Sequence, residues 1–304
     1  MKKLVLTSII ILFIAVCNAQ QDPQYTQYMY NLSIINPAYA GSKEGLSLGA
    51  LYRKQWVNIE GAPNTLTFFA HTPVKKNVGL GLSVVSDRVG PVEETNIYGD
   101  FSYTLNFNED HKLAFGIKTG ATFHKIDFST IYPTLINPDD VFSQSNPNIT
   151  SMNFGFGLFY YSKNFYLSLS IPNILETKYL SYNTMYYGSE VAHYFVSSGY
   201  VIELSDNLKF KPFVLLKSSF SAPMSMDLSA NFLINEKLEL GTSYRLEDSF
   251  GLMANFAVTE NIRIGYAYDH IISDLKVTTP ASHEIILLFD LKNPKKVQQS
   301  SRFF

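Results

Sequence analysis

Between residues 111 and 123 the sequence HKLAFGIKTGATF repeats with a period of two. Leu113, Phe115, Ile117, Ala121 and Phe123 fall on one side, and Gly116, Lys118, Gly120 and Thr122 on the other. Successive side chains of an extended chain point to opposite faces, so this stretch is a strand with one apolar face and one polar face. The division recurs along the chain. In SMNFGFGLFYY, Met152, Phe154, Phe156, Leu158 and Tyr160 oppose Asn153, Gly155 and Gly157. In KLELGTSYRLE, Leu238, Leu240, Thr242, Tyr244 and Leu246 oppose Glu239, Gly241, Ser243, Arg245 and Glu247. In NIRIGYAYDH, Ile262, Ile264, Tyr266 and Tyr268 oppose Arg263, Gly265, Ala267 and Asp269. In HEIILLFDL, Ile285, Leu287, Phe289 and Leu291 oppose Glu284 and Asp290.

Such a sheet separates two unlike media, and composition says which. Aromatic residues make up 14% of the chain, while charged residues make up only 16%, against roughly 25% in soluble domains. Much of this surface faces something other than water. Beyond Ala19 no apolar run approaches the roughly 20 residues of a membrane helix, and lipid cannot satisfy an open sheet edge. What remains is an all-β fold, a transmembrane antiparallel β-barrel with lipid outside and a polar lumen. A soluble sandwich or propeller also alternates, but explains neither the low charge nor the connections described next.

The period-two segments predict about fourteen strands, near residues 46–56, 64–72, 77–86, 94–107, 111–125, 151–161, 164–171, 190–203, 207–218, 223–234, 237–247, 249–258, 261–271 and 282–292. Connections alternate in length. Segments 126–150 and 172–189 are long, whereas Ser162-Lys163, Asn235-Glu236 and Thr259-Glu260 are tight polar turns. Long outer loops opposite short periplasmic turns are the outer-membrane pattern, here with both termini expected in the periplasm.

Lys2 and Lys3, the apolar run from Leu4 to Val16 and the small residue Ala19 are the pattern of a secretory signal cleaved after residue 19. A lipoprotein reading would instead make Cys17 the first mature residue, against the bulk of Val16 before it. Cys17 is the only cysteine, so neither a disulfide nor a thiolate metal site is expected. A formal net charge of −2 offers no basic field for nucleic acid. The division expected is a signal over 1–19, an N-terminal periplasmic or plug segment over 20–45, the outer-membrane barrel over 46–292 and a C-terminal periplasmic tail over 293–304. Residues 20–45 are polar on both faces and carry the turn pairs Asn36-Pro37 and Gly41-Ser42. They belong under or inside the barrel.

No catalytic centre is indicated. The six histidines are scattered without an i,i+4 pair, and there is no G-x-S-x-G elbow. Gly79-Leu80-Gly81 and Gly155-Phe156-Gly157 read as lumen-side glycines rather than phosphate loops. Glu239, Arg245, Asp227, Arg263, Asp269 and Glu284 are expected to pair with one another inside the barrel. No cofactor and no metal are expected.

QDPQYTQYMYNLSIINPAYAGS followed by YRKQWVNIEGAPNTLTF closely resembles the N-terminal signature of the PorP/SprF family, outer-membrane proteins of the Bacteroidetes type IX secretion system and its gliding-motility branch. The matching positions are Asn36, Pro37, Ala38, Gly41, Arg53, Gln55 and Trp56. The Asn-Pro-Ala step also resembles the one that opens fatty-acid-transporter barrels, which have fourteen strands and an N-terminal hatch. The resemblance implies a non-enzymatic component in the cell outer membrane. It would receive or anchor secreted cargo proteins through their C-terminal sorting domains and contact periplasmic secretion components. The alternative is a channel of the fatty-acid-transporter type for small hydrophobic substrates. Trp56, Tyr132, Phe142, Tyr182, Tyr186 and Tyr187 are candidate cargo contacts, because interfaces favour aromatic anchors and long loops on rigid scaffolds carry function. Trp56 also suits an interfacial aromatic belt or ordinary loop packing.

Overall fold

The computed structural model describes residues 23–108, 110–127, 148–176, 181–182, 185–186, 191–219, 222–279 and 281–291. Fourteen strands follow one another around a barrel: β1 Leu46–Lys54, β2 Asn64–Lys75, β3 Val78–Val89, β4 Val92–Asn106, β5 Lys112–Ile126, β6 Asn148–Tyr161 and β7 Phe165–Ile171. Next come β8, in two pieces (Tyr194–Tyr200 and Ile202–Ser205), β9 Leu208–Ser219, β10 Ala222–Ile234, β11 Leu238–Arg245, β12 Ser249–Ala257, β13 Ile262–Ile271 and β14 Ala281–Leu291. Each pairs antiparallel with its chain neighbour, and β14 closes on β1 with Leu291 opposite Leu46 and His283 opposite Lys54. Closure removes the sheet edge that lipid cannot satisfy.

The faces follow the alternation. Phe115, Ile117, Phe123, Phe154, Phe156, Leu240, Ile264 and Ile285 are exposed on the outer wall, while Lys118, Thr122, Asn153, Glu239, Asp269 and Glu284 are buried inside. Glu247 departs from this division. β11 ends at Arg245, and Glu247 is an exposed turn residue with a left-handed φ of 60°. β1 likewise stops at Lys54, two residues short of Trp56.

Residues 23–45 fill the interior with short helical turns, Tyr28–Tyr30, Leu32–Ile35 and Pro37–Tyr39. Tyr25, Tyr28, Met29, Leu32, Ile35 and Ala38 form the core of the molecule together with inward residues such as Leu51, Phe69, Phe159, Tyr166, Phe213 and Ile286. The segment runs the length of the barrel. Its start is held by Arg245 at the end of β11, and Lys43 near its end pairs with Asp290 at the opposite end of β14. Residues 24–27 therefore lie at the end of the long loops. Their backbone and side-chain polar groups find charged partners there.

Candidate functional site

Two clusters fix this segment to the wall. The first is built on the Asn-Pro-Ala step. The Asn36 side chain accepts from the Ala38 N–H at 2.9 Å and donates to the Leu158 carbonyl at 2.9 Å and Ser168 Oγ at 2.7 Å. It thus shapes its own turn and ties that turn to β6 and β7. A side chain at Gly116 would overlap the backbone of Pro37 and Ala38, and one at Gly157 would overlap the Asn36 amide. These two glycines are the seat of the motif, because only a bare backbone lets the turn approach so closely. Ser102 Oγ donates to the Ala40 carbonyl at 2.6 Å, and Gly41 takes a φ of 69° beside Thr72, Pro73 and Gly79.

The second cluster is ionic. Arg53 on β1 pairs with Asp269 at 2.8 Å and Glu284 at 3.1 Å, all three nearly excluded from solvent. The Glu284 carboxylate also accepts the N–H groups of Thr26 and Gln27 at 2.8 and 2.9 Å. Thr26 Oγ1 donates to Asp269 at 2.6 Å and accepts from Arg53 at 2.7 Å. Beside it Arg245 holds Asp227 at 2.6 Å, the Tyr25 carbonyl at 2.7 Å and the Gln24 side chain at 3.1 Å.

Two further groups of lumen charges pair with one another. Lys211 meets Glu239 at 2.9 Å with Arg263 at 3.7 Å from the same carboxylate, and Lys118 meets Asp100 at 3.0 Å. The six charges singled out from the sequence thus divide among three groups, with Arg53 and Lys211 as members that the sequence reading had not joined to them. Among the described residues no cluster of three His, Cys, Asp or Glu side chains is placed to hold a metal. As a chemical device the arrangement fixes the N-terminal segment to the barrel wall.

The other motif residues serve the first loop. The Gln55 N–H donates to the Pro63 carbonyl at 3.0 Å. Trp56 is half-buried, with φ 46° and its N–H on Ser282 Oγ at 3.1 Å. Tyr182 and Tyr186 stand in a small hairpin, Ser181–Tyr182 with Met185–Tyr186, within the β7–β8 connection at the same end as Trp56. Tyr132, Phe142 and Tyr187 lie outside the described residues, as do residues 292–304. Sequence reasoning did not find Thr26, Gln27 or the seats Gly116 and Gly157. Lumen-side glycines opposite a turn motif were the available signal for the seats.

No curated protein matches the sequence. Among solved structures, the CymD monoaromatic hydrocarbon channel superposes with a TM-score of 0.54 at 12% identity, covering 88% of this chain and 94% of that one. The Ralstonia pickettii toluene transporter TbuX gives 0.49 at 10% identity, covering 87% and 93%. At 12% identity the likeness to CymD is one of fold. The model of the family described as type IX secretion system membrane protein PorP/SprF matches residues 17–289. With the outer-membrane type of barrel and the seated Asn36-Pro37-Ala38 motif, this match assigns the chain to the PorP/SprF family of type IX secretion system membrane proteins.

Proposed function

We propose that the protein is an outer-membrane anchor for secreted cargo, which docks on the long loops rather than passing through the lumen. The observation that supports this is the filled interior. Residues 25–40, with Ile34 only half-buried, pack among inward side chains, and charges around them are joined in close pairs. A route for small apolar molecules needs a concave, largely apolar passage with few polar groups, and a braced, ion-paired lumen is ill suited to it. A rigid barrel with long connections on one side fits a receptor, since binding residues concentrate in loops on rigid scaffolds. Candidate anchors are Trp56, Tyr132, Phe142, Tyr182, Tyr186 and Tyr187, with the C-terminal sorting domain of the cargo as ligand. Periplasmic secretion components are proposed for the opposite face, with the 293–304 tail as one contact.

The test is to replace residues 133–147 and, separately, 177–190 by Gly/Ser bridges. Barrel assembly is checked by heat-modifiable migration, and cargo retained at the cell surface is then measured. Retention should fall with the barrel intact. Undiminished retention with both loops shortened would refute loop docking.

A further inference from the structure

β6 is bordered unequally on its two sides. It pairs with β5 along its whole length, from Lys112 opposite Tyr161 to Lys125 opposite Asn148. With β7 it pairs only from Phe156 to Tyr161, because β7 ends at Ile171. The chain following β7 covers a little more of this flank. The Ile174 N–H donates to the Phe154 carbonyl at 2.9 Å, and Asn153 Oδ1 accepts from Ile174 and Leu175.

The Phe154 carbonyl therefore points away from β5. Backbone groups alternate in direction along a strand, so those of Met152, Thr150 and Asn148 point the same way. The neighbouring strand has the matching phase. The Asp127 N–H donates to the Pro91 carbonyl on the β4 side, which turns Gly120, Thr122 and His124 toward Asn153, Ser151 and Ile149. Among the described residues, nothing pairs with Asn148, Thr150 or Met152 on the open side.

This edge lies at the loop end of a strand of 14 residues, longer than the roughly 9–11 that cross the bilayer. Counted from the tight turn after Tyr161, a crossing of roughly 9–11 residues leaves the first three to five or so residues of β6 outside the hydrocarbon core, where an unpaired edge is permitted. Native edges are blunted by Lys, Pro or bulges. The stretch NITSM has neither residue and pairs with β5 without a register shift, and Met152 is 63% exposed.

We propose that residues 148–152 are a docking edge to which a secreted cargo domain adds a strand through backbone hydrogen bonds. The inference rests on the loop-docking reading and names its mode of contact. The edge is continuous with the loop surface, since β6 emerges from the β5–β6 loop. Backbone recognition also suits a receptor whose cargoes differ in side chains, with Thr150 and Met152 as the outward residues that tune the fit.

Thr150→Pro and Met152→Pro each remove an N–H that β5 does not use, and proline is tolerated at such edge positions. Ser151→Pro removes a ladder N–H and is the control expected to damage the β5–β6 pairing. The probe is the purified C-terminal sorting domain of a type IX cargo from the same organism, titrated against the full-length barrel in detergent. Amide hydrogen exchange is followed in parallel on the wild-type protein. The expected result is about tenfold weaker binding for the Thr150 and Met152 variants with the barrel intact. The Thr150 and Met152 amides should exchange fast in the free protein and slowly in the complex. Wild-type affinity in both proline variants would overturn the edge while leaving loop docking standing. Slow exchange in the free protein would also overturn it, by showing that the chain's own 172–193 connection occupies the edge. Failure of the sorting domain to bind the wild type would overturn both readings.

Discussion

At the residue scale, Arg53 is the position on which most depends. Among the described residues it is the one cation bridging Asp269 and Glu284 in a site closed to solvent, and it bonds Thr26, through which the N-terminal segment is held. Removing one partner of a buried ion pair leaves an uncompensated charge, which costs about 3–5 kcal/mol. Arg53→Ala should therefore lower the temperature at which the purified barrel changes its gel migration. Restoring the balance with Glu284→Gln in the same chain should recover part of the loss. An unchanged transition in Arg53→Ala would mean that the triad does not bear on stability. The sequence identified Arg53 only through its motif. That Thr26 and Gln27 would supply two N–H groups to Glu284 was not legible, because the partners are separated by more than two hundred residues and meet only when the barrel closes.

At the element scale, the strands show where period-two reading works and where it stops. Phe154 and Leu240 lie on the outer wall as the alternation predicts, 44% and 45% exposed. Lys or Arg facing lipid near the midplane costs roughly 2–4 kcal/mol, so Phe156→Lys, on the same outward face of β6, should reduce assembled barrel in outer-membrane fractions. Gly116→Leu should fail differently. Its side chain would meet the Pro37–Ala38 backbone, so the barrel should still insert while residues 23–45 lose their seat and become accessible to protease. Equal protease resistance in Gly116→Leu and wild type would show that the glycine is incidental. Alternation assigns a residue to a face but not its size requirement, which is set by what lies opposite. It also misplaced Glu247, because a turn residue at φ 60° belongs to neither face.

At the scale of the whole molecule, a barrel of this strand number has room for a passage, and here the chain itself occupies it. Reconstituted into planar bilayers, the wild-type protein should show no steady ion conductance, whereas deletion of residues 23–40 should give a conducting pore. Steady conductance by the wild type would contradict the packing of the segment. The closed antiparallel barrel, its outer and inner faces and the side bearing the long loops are legible in the sequence. Each follows from a local rule, since side chains alternate with period two, lipid excludes charge, and a short polar turn needs only its own few residues. Tertiary structure alone decided that residues 23–45 run from the loop end to the turn end, that Gly116 and Gly157 seat Asn36, Pro37 and Ala38, and that β7 stops short and leaves an edge on β6. These depend on pairings between distant parts of the chain, and no local pattern specifies which groups meet until closure brings them within hydrogen-bonding distance.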